Sequence, residues 1–273
     1  MKLRQAPALE GMRWMLSGVQ LVRAQPLTLA GLMGFMLFGL GLLLALPTVG
    51  PVLVGLVLPA FTAGWVLAIE LLQSGRRPTP AVLFLPFATP TRGTMLQLGV
   101  LHALAAALLL WLGDLIDPEM QAAWRRAMSE DAGDDVRQAG FQALQTGMLL
   151  RMALITPVTL LFWHAPVILH RQGGSVARAI FASALASLRN LGAFAVYGAA
   201  WVAADLALSL LVGGTLALLG LAQWAMLLAM PAALFFSAAF YASLRATVLG
   251  CIDFGTEPST GTPTVGTGAD SSD

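Results

Sequence analysis

Six long apolar runs, at 27–46, 51–72, 94–112, 148–169, 191–212 and 215–249, alternate with short polar stretches along the chain. A helix needs about 20 largely apolar residues to cross a bilayer, and each run reaches that length. The pattern predicts an all-α fold, a polytopic membrane helix bundle of six transmembrane helices. The last run is too long for one span and is expected to begin nearer residue 222. Pro47-Thr48-Val49-Gly50 joins the first two runs and Gly213-Gly214 the last two. Both are rich in helix breakers, so each pair should form an antiparallel hairpin.

A threefold rhythm runs through these elements. Before each hairpin lies a segment with one polar and one apolar face that ends in arginine. In the first, Glu10, Arg13, Ser17 and Gln20 oppose Met15, Leu16, Val19 and Val22. In the third, Val176, Ile180, Ala184 and Leu188 form an apolar stripe ending at Arg189. The middle one carries Phe84 and Phe87, is interrupted by Pro86 and Pro90, and ends at Arg92. Such segments are expected to lie at the bilayer surface, with Arg23, Arg92 and Arg189 facing lipid headgroups. The second helix of each hairpin contains a proline: Pro59, Pro157 or Pro231. Trp65 and Trp163 each follow their proline by the same spacing, and so do Arg171 and Arg245. Three copies of one hairpin unit would produce this pattern.

The division that follows is an amphipathic N-terminal segment over 1–26, a six-helix domain over 27–254 and a tail over 255–273. The tail is Gly, Thr, Ser, Pro and Asp with little to bury, and is expected to be disordered. Loop 113–147 is the one sizeable soluble element. Asp117 reads as an N-cap and Pro118 as a first helical residue, with Met120, Trp124, Ala127 and Met128 on one face of a short helix. A break near Gly133 and a second helix running into the fourth span complete the loop.

Composition strengthens the membrane reading. Hydrophobic residues make up 58% of the chain, charged residues 11%, and the mean hydropathy is +0.78. A soluble chain carries about a quarter charged residues, so this one lacks the polar surface to cover itself in water. The distribution of its 15 Lys and Arg matters more than the net charge of +1. Lys2, Arg4, Arg13, Arg23, Arg76, Arg77, Arg92, Arg171, Arg178, Arg189 and Arg245 all fall on one side of the alternation. Arg125, Arg126, Arg137 and Arg151 belong to or border loop 113–147, which also holds Asp114, Asp117, Glu119, Glu130, Asp131, Asp134 and Asp135. By the positive-inside rule both termini are expected to be cytoplasmic. The first apolar run follows too long a leader to read as a cleaved signal peptide, and is expected to remain as an anchor. Cys251 is the only cysteine, which excludes an internal disulfide and a cysteine metal site. No basic patch with interleaved aromatics speaks for nucleic acid.

Ionisable groups at membrane depth are costly and mark candidate sites. Asp205 lies well inside the fifth span, on a stripe with Tyr197, Trp201 and Ser209. Ala195, Ala199, Ala203 and Ala207 line the opposite side, where small residues permit close helix packing. The fifth span is therefore expected to be central, with Gln223 or Arg151 as partner to Asp205. One reading makes Asp205 a polar clamp, another a proton- or cation-handling carboxylate. Glu70 reads as an interfacial ion pair with the nearby Arg76 and Arg77. His102 and His164 read as satisfied core histidines; with Glu70 they would have to converge to hold a metal or act as a lipid enzyme. No metal or cofactor is expected. Gly173-Gly174-Ser175 starts a helix, with Ser175 as its cap.

Arg23-Ala24-Gln25-Pro26-Leu27, Pro47-Thr48-Val49-Gly50-Pro51, Phe162-Trp163-His164-Ala165-Pro166 and Ser187-Leu188-Arg189-Asn190 together carry a resemblance. The chain resembles a family of bacterial six-span inner-membrane proteins whose biochemical role is not established, over about residues 10 to 250. The layout is also loosely similar to membrane domains attached to glycerophosphodiester phosphodiesterases, without the hydrolase. The sequence therefore points to a non-enzymatic accessory or scaffold protein engaged with membrane lipids or envelope maintenance. A membrane-protein partner or a homo-oligomer would fit that role. The alternative is a small-solute transporter or permease subunit with Asp205 in the pathway.

Overall fold

The computed structural model describes residues 1–88, 90–129, 131 and 133–255. The expected disorder of the tail falls on residues that, beyond Gly255, lie outside the described ones. Six helices are long and apolar enough to cross a membrane. In chain order, a short strand β1 (Lys2–Leu3) precedes helix α1 (Glu10–Ala24) and the first hairpin, α2 (Pro26–Leu44) and α3 (Gly50–Gln73). A 3-10 turn (Pro80–Phe84) and α4 (Leu85–Ala88) lead to α5 (Arg92–Ile116). Outside the spans, α6 (Glu119–Ala127) packs on the first turns of α7 (Asp134–Phe162), whose line is continued by α8 (Ala165–Gln172). Then come α9 (Val176–Arg189), α10 (Leu191–Ser209), α11 (Thr215–Leu218), α12 (Ala225–Cys251) and strand β2 (Ile252–Asp253).

Two boundaries differ from expectation. Gly213-Gly214 is not the last hairpin turn but part of a π-helical stretch (Leu210–Gly214) that carries the fifth span through to Leu218. The chain reverses instead around Gly220, whose positive φ of 69° suits a residue without a side chain. Asp117 does not cap α6. It ends α5, its carboxylate turns towards Arg151, and Pro118 takes the cap position without a side-chain hydrogen bond.

The three hairpins are linked in a cycle. The turn and α4 that precede the second hairpin pack on α3 of the first. Helix α9, which precedes the third, packs on α7 and α8 of the second. Helix α1, which precedes the first, packs on α10 and α12 of the third and closes the ring. Close approach makes this closure possible. A Cβ at Gly11 would collide with the main chain of Ala193 and Tyr197, and one at Gly18 with the carbonyl of Ala239. Strands β1 and β2 pair antiparallel beside the seam, so both termini lie at one end. Buried Asn190 reinforces them, donating to the Arg4 carbonyl at 3.0 Å and accepting from the Ala6 N–H at 2.7 Å.

Packing against protein, rather than against lipid, explains which faces these segments bury. Helix α1 buries Gly11, Trp14, Gly18 and Val22 and leaves Leu16 exposed. Helix α9 buries Ala179, Ala182, Ser183, Ala186 and Ser187 and turns Phe181 and Leu188 outward. The apolar stripes read from sequence count large side chains, whereas the helix–helix seams use small ones. Ser175 caps α9 as expected, accepting from the Arg178 N–H at 3.3 Å.

The fourth span is discontinuous. Pro166 has no N–H, and the helix stops at Phe162 and restarts at Ala165. In hydrocarbon the freed backbone groups need protein partners. Helix α9 supplies two serines one turn apart. Ser183 Oγ accepts from the His164 N–H at 2.9 Å, and Ser187 Oγ donates to the Leu160 carbonyl at 2.9 Å. These hydroxyls replace the helical bond that Leu160 and His164 would otherwise share.

Ser183→Ala together with Ser187→Ala will strand both backbone groups in a buried setting and destabilise the fold by about 1–3 kcal/mol for each. Thermal unfolding of the detergent-purified variant, compared with the exposed control Ser129→Ala, measures this. The terminal clasp has its own pH signature. A hydrogen bond from the Gly255 N–H, and then the Arg4 side chain at 2.7 Å, hold the Asp253 carboxyl below its ordinary value of 3.8. A depressed folded-state pKa makes the stabilising contribution complete above the unfolded value and lost as pH falls through the folded one. Protection of the Arg4 amide, which bonds the Cys251 carbonyl, should be flat above pH 5 and fall below about pH 3.8. Asp253→Asn will remove that acid limb.

Candidate functional site

The second helices of the hairpins meet at the centre. More than half of the α3 span is buried (56%), against 11% of the fifth span. Contrary to expectation, the first proline-bearing helix is central and the fifth span peripheral. The Trp65 indole N–H reaches Met36 Sδ at 3.1 Å, and its ring meets Tyr241 at 5.5 Å. Trp163, at the equivalent place in the second unit, donates to Thr247 Oγ1 at 2.9 Å and packs on Phe240 at 6.1 Å. Tyr197 and Ser243 join the third hairpin across 2.6 Å; the serine donates to the Phe240 carbonyl, so the phenol donates to the serine.

At the end carrying the termini, Glu70 binds Arg171 and lies 3.7 Å from Arg245. The expected partners Arg76 and Arg77 are exposed and form no ion pair with it among the described residues. The equivalent placement of Arg171 and Arg245 after their prolines brings both to Glu70, so one carboxylate ties all three hairpins together. The Arg171 guanidinium also covers the Phe254 ring at 4.7 Å.

A cleft of about 350 Å³ opens between α3, α5, α7 and α12, lined among others by Pro59, Thr62, His102, Thr159 and Tyr241. His102 Nδ1 lies 2.8 Å from the Gly55 carbonyl. That oxygen can only accept, so the proton sits on Nδ1 and Nε2 is left as an acceptor. Thr62 and Thr159 spend their hydroxyl protons on their own helices, on Leu58 and Ile155. The cleft is thus largely hydrocarbon with a few acceptors.

His164 is fully buried in the helix break, tilted against Phe194 at 5.8 Å. Neither ring nitrogen has a hydrogen-bond partner among the described residues, where a satisfied core histidine was expected. His102, His164 and Glu70 are not brought together, since among the described residues no three of His, Cys, Asp and Glu could share a metal ion.

Asp205 and its proposed partners are also separate. Arg151 lies between two other carboxylates, Asp114 at 2.5 Å and Asp117 at 3.8 Å, and fastens α5 to α7. Gln223 is exposed in the turn before α12. The stripe that begins at buried Tyr197 and Trp201 emerges at Asp205, which is exposed. Ala195, Ala199, Ala203 and Ala207 are exposed as well. Helix α1 packs on the first turns of α10, at Ala193 and Tyr197. Arg23, Arg92 and Arg189 are exposed, and none forms an ion pair among the described residues.

Sequence reading passed over Ser183, Ser187, Asn190, Ser243 and Thr247, the buried polar groups that hold the elements together. The signal available was their place beside glycine, alanine and proline breaks rather than beside other charges.

No protein-family model matches the chain, and no solved structure matches it. It is 29% identical over 256 residues to a probable inner membrane protein of Burkholderia thailandensis, covering 92% of this chain and 94% of that one. Six helices able to cross a bilayer, and similarity over nearly the full length to a probable inner membrane protein, mark the chain as a polytopic membrane protein.

Proposed function

We propose that the protein is a non-enzymatic accessory or scaffold protein of the inner membrane, with both termini cytoplasmic, that engages anionic lipid. The observation that carries this is the placement of Arg23, Arg92 and Arg189. Arg92 opens α5, while Arg23 and Arg189 close the helices that lead into α2 and α10, and all three are exposed and without an ion pair among the described residues. Because α2, α5 and α10 all start from the end that carries the termini, the three cations ring one face of the bundle. Arg76, Arg77 and Arg178 are exposed at the same end, which supports its assignment to the cytoplasmic side. Outward-facing Phe181 and Leu188 on α9, and Leu16 on α1, give that rim an apolar collar suited to the acyl boundary. The hydrocarbon-lined cleft beside His102 suits an acyl chain. A solute pathway through Asp205 gains no support from a single chain, because that carboxylate faces out of the bundle.

An arginine near an anionic surface is worth roughly 1 kcal/mol, about fivefold in affinity. The triple variant Arg23→Gln, Arg92→Gln, Arg189→Gln, equilibrated in mixed phosphatidylglycerol and phosphatidylcholine micelles, should retain at least tenfold less phosphatidylglycerol by mass spectrometry. An unchanged ratio of the two lipids in the purified variant would sink the lipid reading.

A further inference from the structure

Asp205 is fourteen residues beyond the start of α10 at Leu191 and thirteen before the end of the span at Leu218. At 1.5 Å per residue, roughly 20 Å of helix separates it from either end. Its side chain is exposed and forms no ion pair among the described residues. It lines a cleft of about 360 Å³ between α10 and α12, together with Ser209, Gly213, Ala229, Ala233 and Ser237. The π-helical stretch Leu210–Gly214 forms part of one wall, so the one irregular stretch in this span lies beside its one carboxylate.

An aspartate at such a depth costs roughly 2.5–3.5 kcal/mol on insertion scales when it faces lipid. Nothing in the cleft offsets that, since the other polar side chains there are two serines. Small residues on both walls let a helix backbone approach closely. A second copy does not fit, because at the same depth it would present another carboxylate. The exposed arginines at the end with the termini, including Arg23, Arg92 and Arg189, mark the starts of spans rather than their middle.

We propose that this cleft docks a transmembrane helix of another protein that carries a lysine or arginine at mid-span, paired with Asp205. This goes beyond the lipid reading and does not depend on it, since roughly 20 Å of helix separates the cleft from the arginine rim. The incoming cation neutralises the carboxylate, Ser209 and Ser237 supply further hydrogen bonds, and Gly213, Ala229 and Ala233 set the distance of approach.

The test uses the full-length protein in proteoliposomes with a synthetic Leu/Ala transmembrane peptide bearing one lysine at its midpoint, read by energy transfer. Comparison peptides carry leucine there, or the lysine at one end. The mid-lysine peptide should associate at least tenfold more tightly than either. Asp205→Asn, whose exposed side chain supports no internal contact, should abolish the preference, and Ala233→Trp should weaken association by filling the cleft while keeping the carboxylate. Should Ala233→Trp fail to fold, the Asp205→Asn comparison decides alone. Equal association of the three peptides, or a preference that survives Asp205→Asn, would overturn the proposal. So would self-association of the protein that Asp205→Asn abolishes, which would assign the cleft to a second copy.

Discussion

Closure of the ring by α1 is the constraint on which the rest of the architecture depends. By connectivity this helix introduces the first hairpin, yet its buried face is spent on the third. Main-chain contact at Gly11 and Gly18 draws it between α10 and α12, and its Trp14 ring meets Phe194 at 5.5 Å and Tyr197 at 6.3 Å. With α1 in place, each hairpin receives the segment that introduces the next one, and no unit is left open. The terminal strands, Asn190 and the Glu70 cluster all gather at the end where this closure happens.

Much of that design is legible in the chain. Spans show through because hydrocarbon demands long apolar runs whatever they pack against. The hairpin unit shows through because prolines, tryptophans and arginines recur at fixed offsets, and the structure uses them at equivalent places. What does not show is the direction in which a short amphipathic helix turns. Counting apolar side chains on α1 and α9 presumes lipid as the target. The actual targets are other helices, where glycine, alanine and serine give the closest fit, Trp14 and Val22 are buried, and Leu16, Phe181 and Leu188 are turned away. Asp205 misleads in the same manner. Its four-residue stripe with Tyr197 and Trp201 is real, but the stripe passes from buried to exposed between Trp201 and Asp205, and a stripe says nothing about where cover ends.

Polar groups inside the bundle serve the backbone more than they serve one another. Ser183 and Ser187 stand in for a helical bond, Asn190 holds two separate chain segments, and Ser243 turns a tyrosine inward. Charges gather at the two ends instead: Glu70 with Arg171 and Arg245 at one, and Arg151 with Asp114 and Asp117 at the other. This division follows from the cost of burying ions against the ease of satisfying neutral hydroxyls in a dry interior. Asp205 is the departure from it, and His164 is another, a buried imidazole with no hydrogen-bond partner among the described residues where the main chain breaks.

The ring has a consequence for how the protein is made. Gly18 meets Ala239, so the side of the first helix that packs on α12 waits for 221 further residues before it finds its partner. At ordinary elongation rates of about 5–20 residues per second, that interval is roughly 10–45 s. Throughout it the Gly18 side of α1 lacks its α12 partner, while five spans insert ahead of the last. The final span is therefore the step that completes the cover of the first helix, and truncation anywhere before it leaves α1 without its α12 partner.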